Sequence, residues 1–149
     1  MDEDLIRIIP DKEKAKSILK MTDTTLKMIK EINIDKFSSN ITKEYYEIIR
    51  ELMTIILLLD GYKTYGEGSH KKLIEYLELN YREFDKSEIY FIDDLRNIRN
   101  KIAYDGFFVE INYILNNIKN IQRIIEKLNK IIENKLKQTG KEECTPKII

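Results

Sequence analysis

Apolar residues recur three and four positions apart along most of this chain, and this spacing predicts amphipathic helices. The clearest series runs through the last third, at Ile111, Ile114, Ile118, Ile121, Ile125, Leu128 and Ile132. We therefore predict a long helix from about Phe107 to Gln138, with a length of roughly 48 Å at 1.5 Å per residue. Since this is longer than a small bundle covers, we expect its end to project or to pack on a second subunit.

Four shorter helices are predicted before it from the same spacing and from capping residues. They run from a cap at Asp11 to about Ile32, from a cap at Ser38 or Ser39 to Asp60, from Ser69 to about Asn80, and from Asp85–Ser87 to the turn at Asp105–Gly106. The second helix is apolar on nearly every face in its second half, which places it in the centre of a bundle.

These elements predict an all-α protein, an up-and-down bundle of about five helices with a long C-terminal helix. A single domain is expected over 1–149, with the bundle over about 11–138 and a flexible tail over 139–149. Leu5–Pro10 is expected to pack on the domain without a firm structure, and Gly61–Gly68 to be a plain interhelical connection.

Composition excludes several classes of protein. The chain has 26 basic and 26 acidic residues, so net charge gives no argument for a nucleic-acid or membrane partner. The one cysteine, Cys144, excludes an intramolecular disulfide framework, and with one histidine and no cysteine cluster we expect no metal site and no cofactor. Leu52–Leu59 is the longest strongly apolar run and is far shorter than the ~20 residues of a membrane span. The acidic start Met1–Asp4 does not resemble a secretory signal, so a cytoplasmic protein is expected.

The fourth helix carries the most informative polar residues, within the segment Asp93–Gly106. A helical wheel places its apolar residues on one face, which we expect to pack on the core: Phe91, Leu95, Ile98 and Ile102. The far side holds Asp93, Arg96, Asn97, Asn100 and Tyr104, with Arg99 at the border. One interpretation is an ordinary solvated surface. The other is a receptor for phosphate or carboxylate, since guanidinium and amide groups suit such ligands, on a face that forms the floor of a cleft between two subunits.

The run Arg99-Asn100-Lys101-Ile102-Ala103-Tyr104 resembles the signature of the HEPN superfamily (higher eukaryotes and prokaryotes nucleotide-binding domain). That signature is an arginine, commonly followed by a polar residue, and then a histidine after four to six residues at the end of a helix. The order of the predicted helices also resembles the HEPN fold, over about residues 11–138. The resemblance implies a homodimer whose motifs face each other and a partner that is RNA or a nucleotide.

Many proteins of this superfamily are metal-independent ribonucleases, often toxins of toxin–antitoxin systems, and others are partners of small nucleotidyltransferases. By the resemblance, Arg99 and Asn100 are expected to contact phosphate. Tyr104 stands where the family usually has histidine. Tyrosine, with an ordinary pKa near 10, is a poor base at neutral pH, although it can donate a hydrogen bond to phosphate or stack on a base. The resemblance thus supports RNA or nucleotide binding better than it supports cleavage.

His70, the one histidine of the chain, follows the glycine-containing segment. It is either a surface or capping residue or a group that approaches Arg99 and Tyr104 and supplies the missing acid or base. The leading hypothesis is a HEPN-like homodimer that binds RNA or a nucleotide through Arg96, Asn97, Arg99, Asn100 and Tyr104, with ribonuclease activity through Arg99, Tyr104 and His70. The alternatives are a non-catalytic partner of a nucleotidyltransferase or antitoxin, a dimerisation module, or a purely structural role in which Arg99 pairs with a buried acidic residue.

Overall fold

The structure, a computed structural model, describes residues 4–138 and has seven elements over that range. They are β1 (Leu5–Arg7), α1 (Lys12–Glu31), α2 (Ser38–Asp60), β2 (Tyr62–Thr64), α3 (Ser69–Asn80), α4 (Lys86–Asp105) and α5 (Ile111–Lys137). The predicted fold class is confirmed, because the described chain is a helical bundle that ends in its longest helix. None of the described helices combines the length and the apolar character that crossing a membrane requires.

Helix α2 lies at the centre of the bundle and contacts α1, α3, α4 and α5. Its apolar residues point in every direction, and those with the least exposure form the middle of the core: Tyr46, Ile49, Leu52, Met53, Ile55, Ile56 and Leu57. A helix that is apolar all round is stable only when other elements cover all its sides. The central position predicted for this helix is therefore confirmed.

The helix ends follow the predicted capping chemistry in two places. The Asp11 side chain accepts a hydrogen bond from the Lys14 amide at 3.0 Å, and Asp85 forms a capping box with Glu88 at the start of α4. Helix α2 ends at Gly61, whose φ of +89° is left-handed. A side chain at this position would also place its Cβ atom 3.2 Å from the carbonyl oxygen of Ile8.

The two serines at the start of α2 do not cap it, contrary to expectation. Phe37 is the N-cap residue, and Ser38 and Ser39 are buried. The Ser38 hydroxyl donates to the carbonyl of Val109 at 2.6 Å, while the Ser39 hydroxyl accepts from the Val109 amide at 2.7 Å. These bonds hold residues 107–110 in a non-helical connection, so α5 begins at Ile111 and not at Phe107.

The far end of α5 packs on the bundle and does not project as predicted. Ile131 and Ile132 are buried, and Lys135 forms an ion pair with Asp60 at the end of α2. The Asp60 carboxylate also accepts hydrogen bonds from the Tyr76 and Tyr81 hydroxyls at 2.8 and 2.5 Å. Asp60 thus joins α2, α3 and α5, and this network fixes the end of the long helix.

Two short strands replace the unstructured lead-in and the plain connection that were expected. β1 pairs antiparallel with β2, with Ile6 opposite Lys63, and the Ile8 amide donates to the carbonyl of Gly61 at 2.8 Å. Three-residue strands carry too little periodic signal to be recognised from sequence, and this pair forms because α2 brings the two segments together. The predicted tail over 139–149 lies outside the described residues.

Candidate functional site

The orientation of α4 differs from the predicted one and explains the position of Arg99. Its most buried residues, Glu88, Ile92 and Leu95, are spaced by four and three, and Arg99 follows four residues later on the same stripe. Of the predicted core face, Leu95 is buried, whereas Phe91, Ile98 and Ile102 are only half-buried. The predicted orientation was wrong because α4 packs on both α2 and α3. Its buried face is therefore not the face on which the helical wheel places Phe91, Leu95, Ile98 and Ile102. Arg99 consequently faces α2.

On α2, the carboxylate of Glu47 receives Arg99. Arg99 Nε donates to Glu47 Oε1 at 2.7 Å, and Arg50 Nε donates to Glu47 Oε2 at 2.9 Å. The Glu47 and Arg99 side chains are only 18% and 17% exposed. Burial alone would raise the pKa of Glu47, but the hydrogen bond and charge of Arg50 and the charge of Arg99 outweigh it, so the pKa is lowered. One ionised carboxylate therefore holds two guanidinium groups side by side.

The other described contacts of Arg99 lie toward the end of α4. Its Nη1 donates to the Asn100 side-chain oxygen at 3.0 Å and lies 3.5 Å from the Tyr104 hydroxyl. The guanidinium carbon is 5.7 Å from the centre of the Tyr104 ring, and Tyr104 is 75% exposed. Arg96, one turn earlier, pairs with Asp93 at 2.9 Å. Arg99 is thus fixed by Glu47, while its outer end remains beside an exposed tyrosine.

The segment 66–71, at the start of α3, covers this face of α4. Together they enclose a cleft of about 320 Å³, here called the arginine cleft, lined by Gly66, Glu67, Gly68, Ser69, His70, Lys71, Arg96, Arg99, Asn100 and Tyr104. Five of the six predicted site residues line it. Asn97 does not, since it is exposed on another side of α4.

The first turn of α3 contributes backbone amides to the arginine cleft. The N-cap of α3 is Gly68, with φ +77°, and no side chain caps the helix there. Amides in the first turn of a helix have no carbonyl partner within the helix, and the helix dipole adds partial positive charge at this end. The wall opposite Arg99 is therefore suited to an anion as well.

His70 lies in this first turn and reaches the arginines. Its ring packs on buried Tyr46, with 6.1 Å between ring centres. Burial, followed by the charges of Arg50 and Arg99, lowers the pKa of His70 below its ordinary value of 6.5. The imidazole is therefore mainly neutral at pH 7 and able to accept a proton. His70, Arg99 and Tyr104 line the same cleft, as in the alternative from the sequence in which His70 approaches these two residues.

Glu47 and Arg50 are site residues that the sequence interpretation missed. Glu47, Arg50 and Thr54 are spaced by three and four, so they form one stripe, here called the α2 polar stripe, on the mostly buried central helix. Polar residues in that position must pair with each other or face a cleft. This stripe is the sequence signal from which Glu47 and Arg50 could have been predicted as site residues.

No group of three histidine, cysteine, aspartate or glutamate side chains within residues 4–138 is arranged to hold a metal ion. Comparisons of this chain with protein-family models, with curated proteins and with solved structures found no match. What the arginine cleft binds must therefore be inferred from its chemistry.

We predict that Glu47→Gln destabilises the fold by about 1–3 kcal/mol at pH 7, since it removes charge-assisted hydrogen bonds to two arginines. Because the pKa of Glu47 is lowered in the folded protein, its ionised carboxylate stabilises the fold at a pH above the ordinary carboxyl pKa. This contribution to stability disappears as the pH falls through the lowered pKa of Glu47. Urea denaturation of both proteins at pH 7 and at pH 3 measures this, and the difference should shrink at the lower pH.

The matched control is Glu13→Gln, because Glu13 pairs with Lys16 on the exposed surface of α1 at 3.4 Å. Exposed pairs contribute little, so this variant should resemble the wild type. Equal stability of the wild type and Glu47→Gln at pH 7 would show that the Glu47 bridge does not hold the two helices.

Proposed function

We propose that the arginine cleft binds the phosphate of RNA or of a nucleotide, and that the protein is HEPN-like. The observation that carries this proposal is the convergence of Arg96, Arg99, His70 and the uncapped start of α3 on one cleft. Guanidinium groups and helix N-termini both bind phosphate well in proteins. Lys71 adds a further positive charge, and Glu67 is the only carboxylate among the lining residues of this cleft.

The motif Arg99–Tyr104 supports the HEPN part of the proposal through the placement of its polar residues. Arg99, Asn100 and Tyr104 lie together at the mouth of the cleft. Exposed aromatic residues continue from there, with Phe107 48% and Phe108 85% exposed. Exposed aromatic side chains of this kind suit contact with a second copy of the chain, so the proposal includes a homodimer in which two clefts adjoin.

Ribonuclease activity is the second part of the proposal, and the position of His70 favours it. A ribose 2′-hydroxyl gives its proton to neutral His70 and attacks the neighbouring phosphorus, forming the O2′–P bond as the P–O5′ bond breaks. Tyr104 donates a proton to the leaving O5′, and Arg99 stabilises the charge on the phosphate oxygens. The products are a 2′,3′-cyclic phosphate and a free 5′-hydroxyl.

We predict that Arg99→Ala weakens binding of a single-stranded RNA oligonucleotide by about 10- to 100-fold, the effect of losing one charged hydrogen-bonding group on a phosphate. Fluorescence anisotropy at fixed salt measures the affinity. Arg82→Ala serves as control, because Arg82 is exposed in the connection between α3 and α4.

A competing role for Arg99 is purely structural, and the ion pair with Glu47 at 2.7 Å favours it. In that case Arg99→Ala lowers the melting temperature, while its affinity for RNA equals that of the wild type when both proteins are folded. Such a result would contradict the phosphate-binding proposal.

The pH dependence of cleavage tests the role of His70. A base must be unprotonated, so the rate should stay level near neutral pH and fall only as the pH drops below 6.5, through the lowered pKa of His70. His70→Gln should slow cleavage by about 10²–10⁴-fold without weakening RNA binding to a similar degree. Single-turnover cleavage of a labelled RNA between pH 4.5 and 8 gives both results. Full cleavage by His70→Gln would remove His70 from the reaction.

A further inference from the structure

A second pocket adjoins the arginine cleft on the other side of His70. It has a volume of about 270 Å³ and shares Ser69 and His70 with the cleft. Its floor is apolar and comes from the core helices, including Ile18, Leu57 and Leu73. The phosphate group itself does not require such a floor, because charges and amides bind it.

The α2 polar stripe connects the two spaces. Glu47 holds Arg99 of the arginine cleft through one oxygen and Arg50 through the other. Arg50 and Thr54, the next residues of the stripe, line the second pocket. His70 therefore borders both spaces, with Arg99 in the lining of the arginine cleft and Arg50 in the lining of the second pocket.

The lining of the second pocket indicates an amphipathic ligand. Exposed Lys14 and Lys63 stand at its rim above the apolar floor. Thr54, Thr64 and Ser69 also line it, so polar side chains stand beside the apolar floor. A ligand that carries polar atoms on an apolar ring therefore complements this lining better than an aliphatic chain does.

We propose that the second pocket holds the nucleoside attached to the phosphate in the arginine cleft. This inference rests on the proposed function and extends it, because the protein would then recognise a nucleoside together with its phosphate and not the phosphate alone. The base occupies the apolar floor, the ribose passes Ser69 and His70, and the phosphate meets Arg99. The volume is near the lower end of the range for small-molecule pockets, roughly 300 Å³, which suits one nucleoside.

Filling the pocket tests the proposal. Thr54→Phe places a ring in the second pocket from the half-buried face of α2, and Thr54→Val is the matched control. Since the Thr54 hydroxyl donates to the carbonyl of Arg50 at 2.9 Å, both variants lose that bond but only phenylalanine fills the space. Titration calorimetry with the ribonucleoside 3′- and 5′-monophosphates and with inorganic phosphate gives the affinities, after melting curves confirm that each full-length variant is folded.

We expect the wild type and Thr54→Val to bind the best monophosphate at least tenfold more tightly than inorganic phosphate, and Thr54→Phe to lose that difference while keeping its phosphate affinity. Monophosphate and phosphate affinities that are equal in the wild type, or a monophosphate affinity unchanged in Thr54→Phe, would overturn the second pocket and leave the arginine cleft standing. A wild type that binds neither these ligands nor RNA would overturn both proposals. If Thr54→Phe does not fold, Thr64→Phe in β2, which also lines the pocket, replaces it, with the same expected selective loss.

Discussion

The arrangement of the site depends on one interaction, the pairing of the Glu47 carboxylate with Arg50 and Arg99. Arg50 and Arg99 come from different helices and would repel each other at this separation, in surroundings that are mostly shielded from water. A single carboxylate between them offsets that repulsion and orients both Nε groups. Arg50 also pairs with Glu51 at 3.7 Å, so two carboxylates balance the two guanidinium groups, while Arg99 still lines the arginine cleft. The same contact joins the central helix α2 to the end of α4, so the packing of the bundle and the placement of Arg99 in the arginine cleft have one origin.

Much of the fold could be predicted from the sequence because helix periodicity and capping are local properties. The limits of α1, α2 and α3 and the cap at Asp85 agree with the structure to within about one residue. The predictions are wrong where contacts between distant segments of the chain determine the local structure. Residues 107–110 leave the helical path because Ser38 and Ser39, about seventy positions away, bind Val109. The strand Leu5–Arg7 forms only because the end of α2 presents residues 62–64 beside it.

The site was predictable in part, and for the same physical reason. The residues Arg96, Arg99, Asn100 and Tyr104 are close in sequence, so one helix brings them together whatever the rest of the chain does. Glu47 could not be assigned to Arg99 from the sequence, since the pairing depends on how α4 is rotated against α2. The placement of His70 depends on the path of residues 61–68, which local patterns do not fix. Homodimerisation and the binding of RNA or a nucleotide depend on molecules outside this chain, so both stay predictions.

The most direct test of the arginine cleft is to identify which side chains respond when RNA binds. Two-dimensional ¹H–¹⁵N NMR of arginine Nε and histidine ring nitrogens reports on each group separately during titration with a single-stranded RNA oligonucleotide. The Arg99 and His70 signals should shift together, with one midpoint, while the signals of exposed Arg82 and Arg123 stay in place. Unchanged Arg99 and His70 signals in the presence of bound RNA, or shifts confined to other arginines, would show that the cleft is not the binding site.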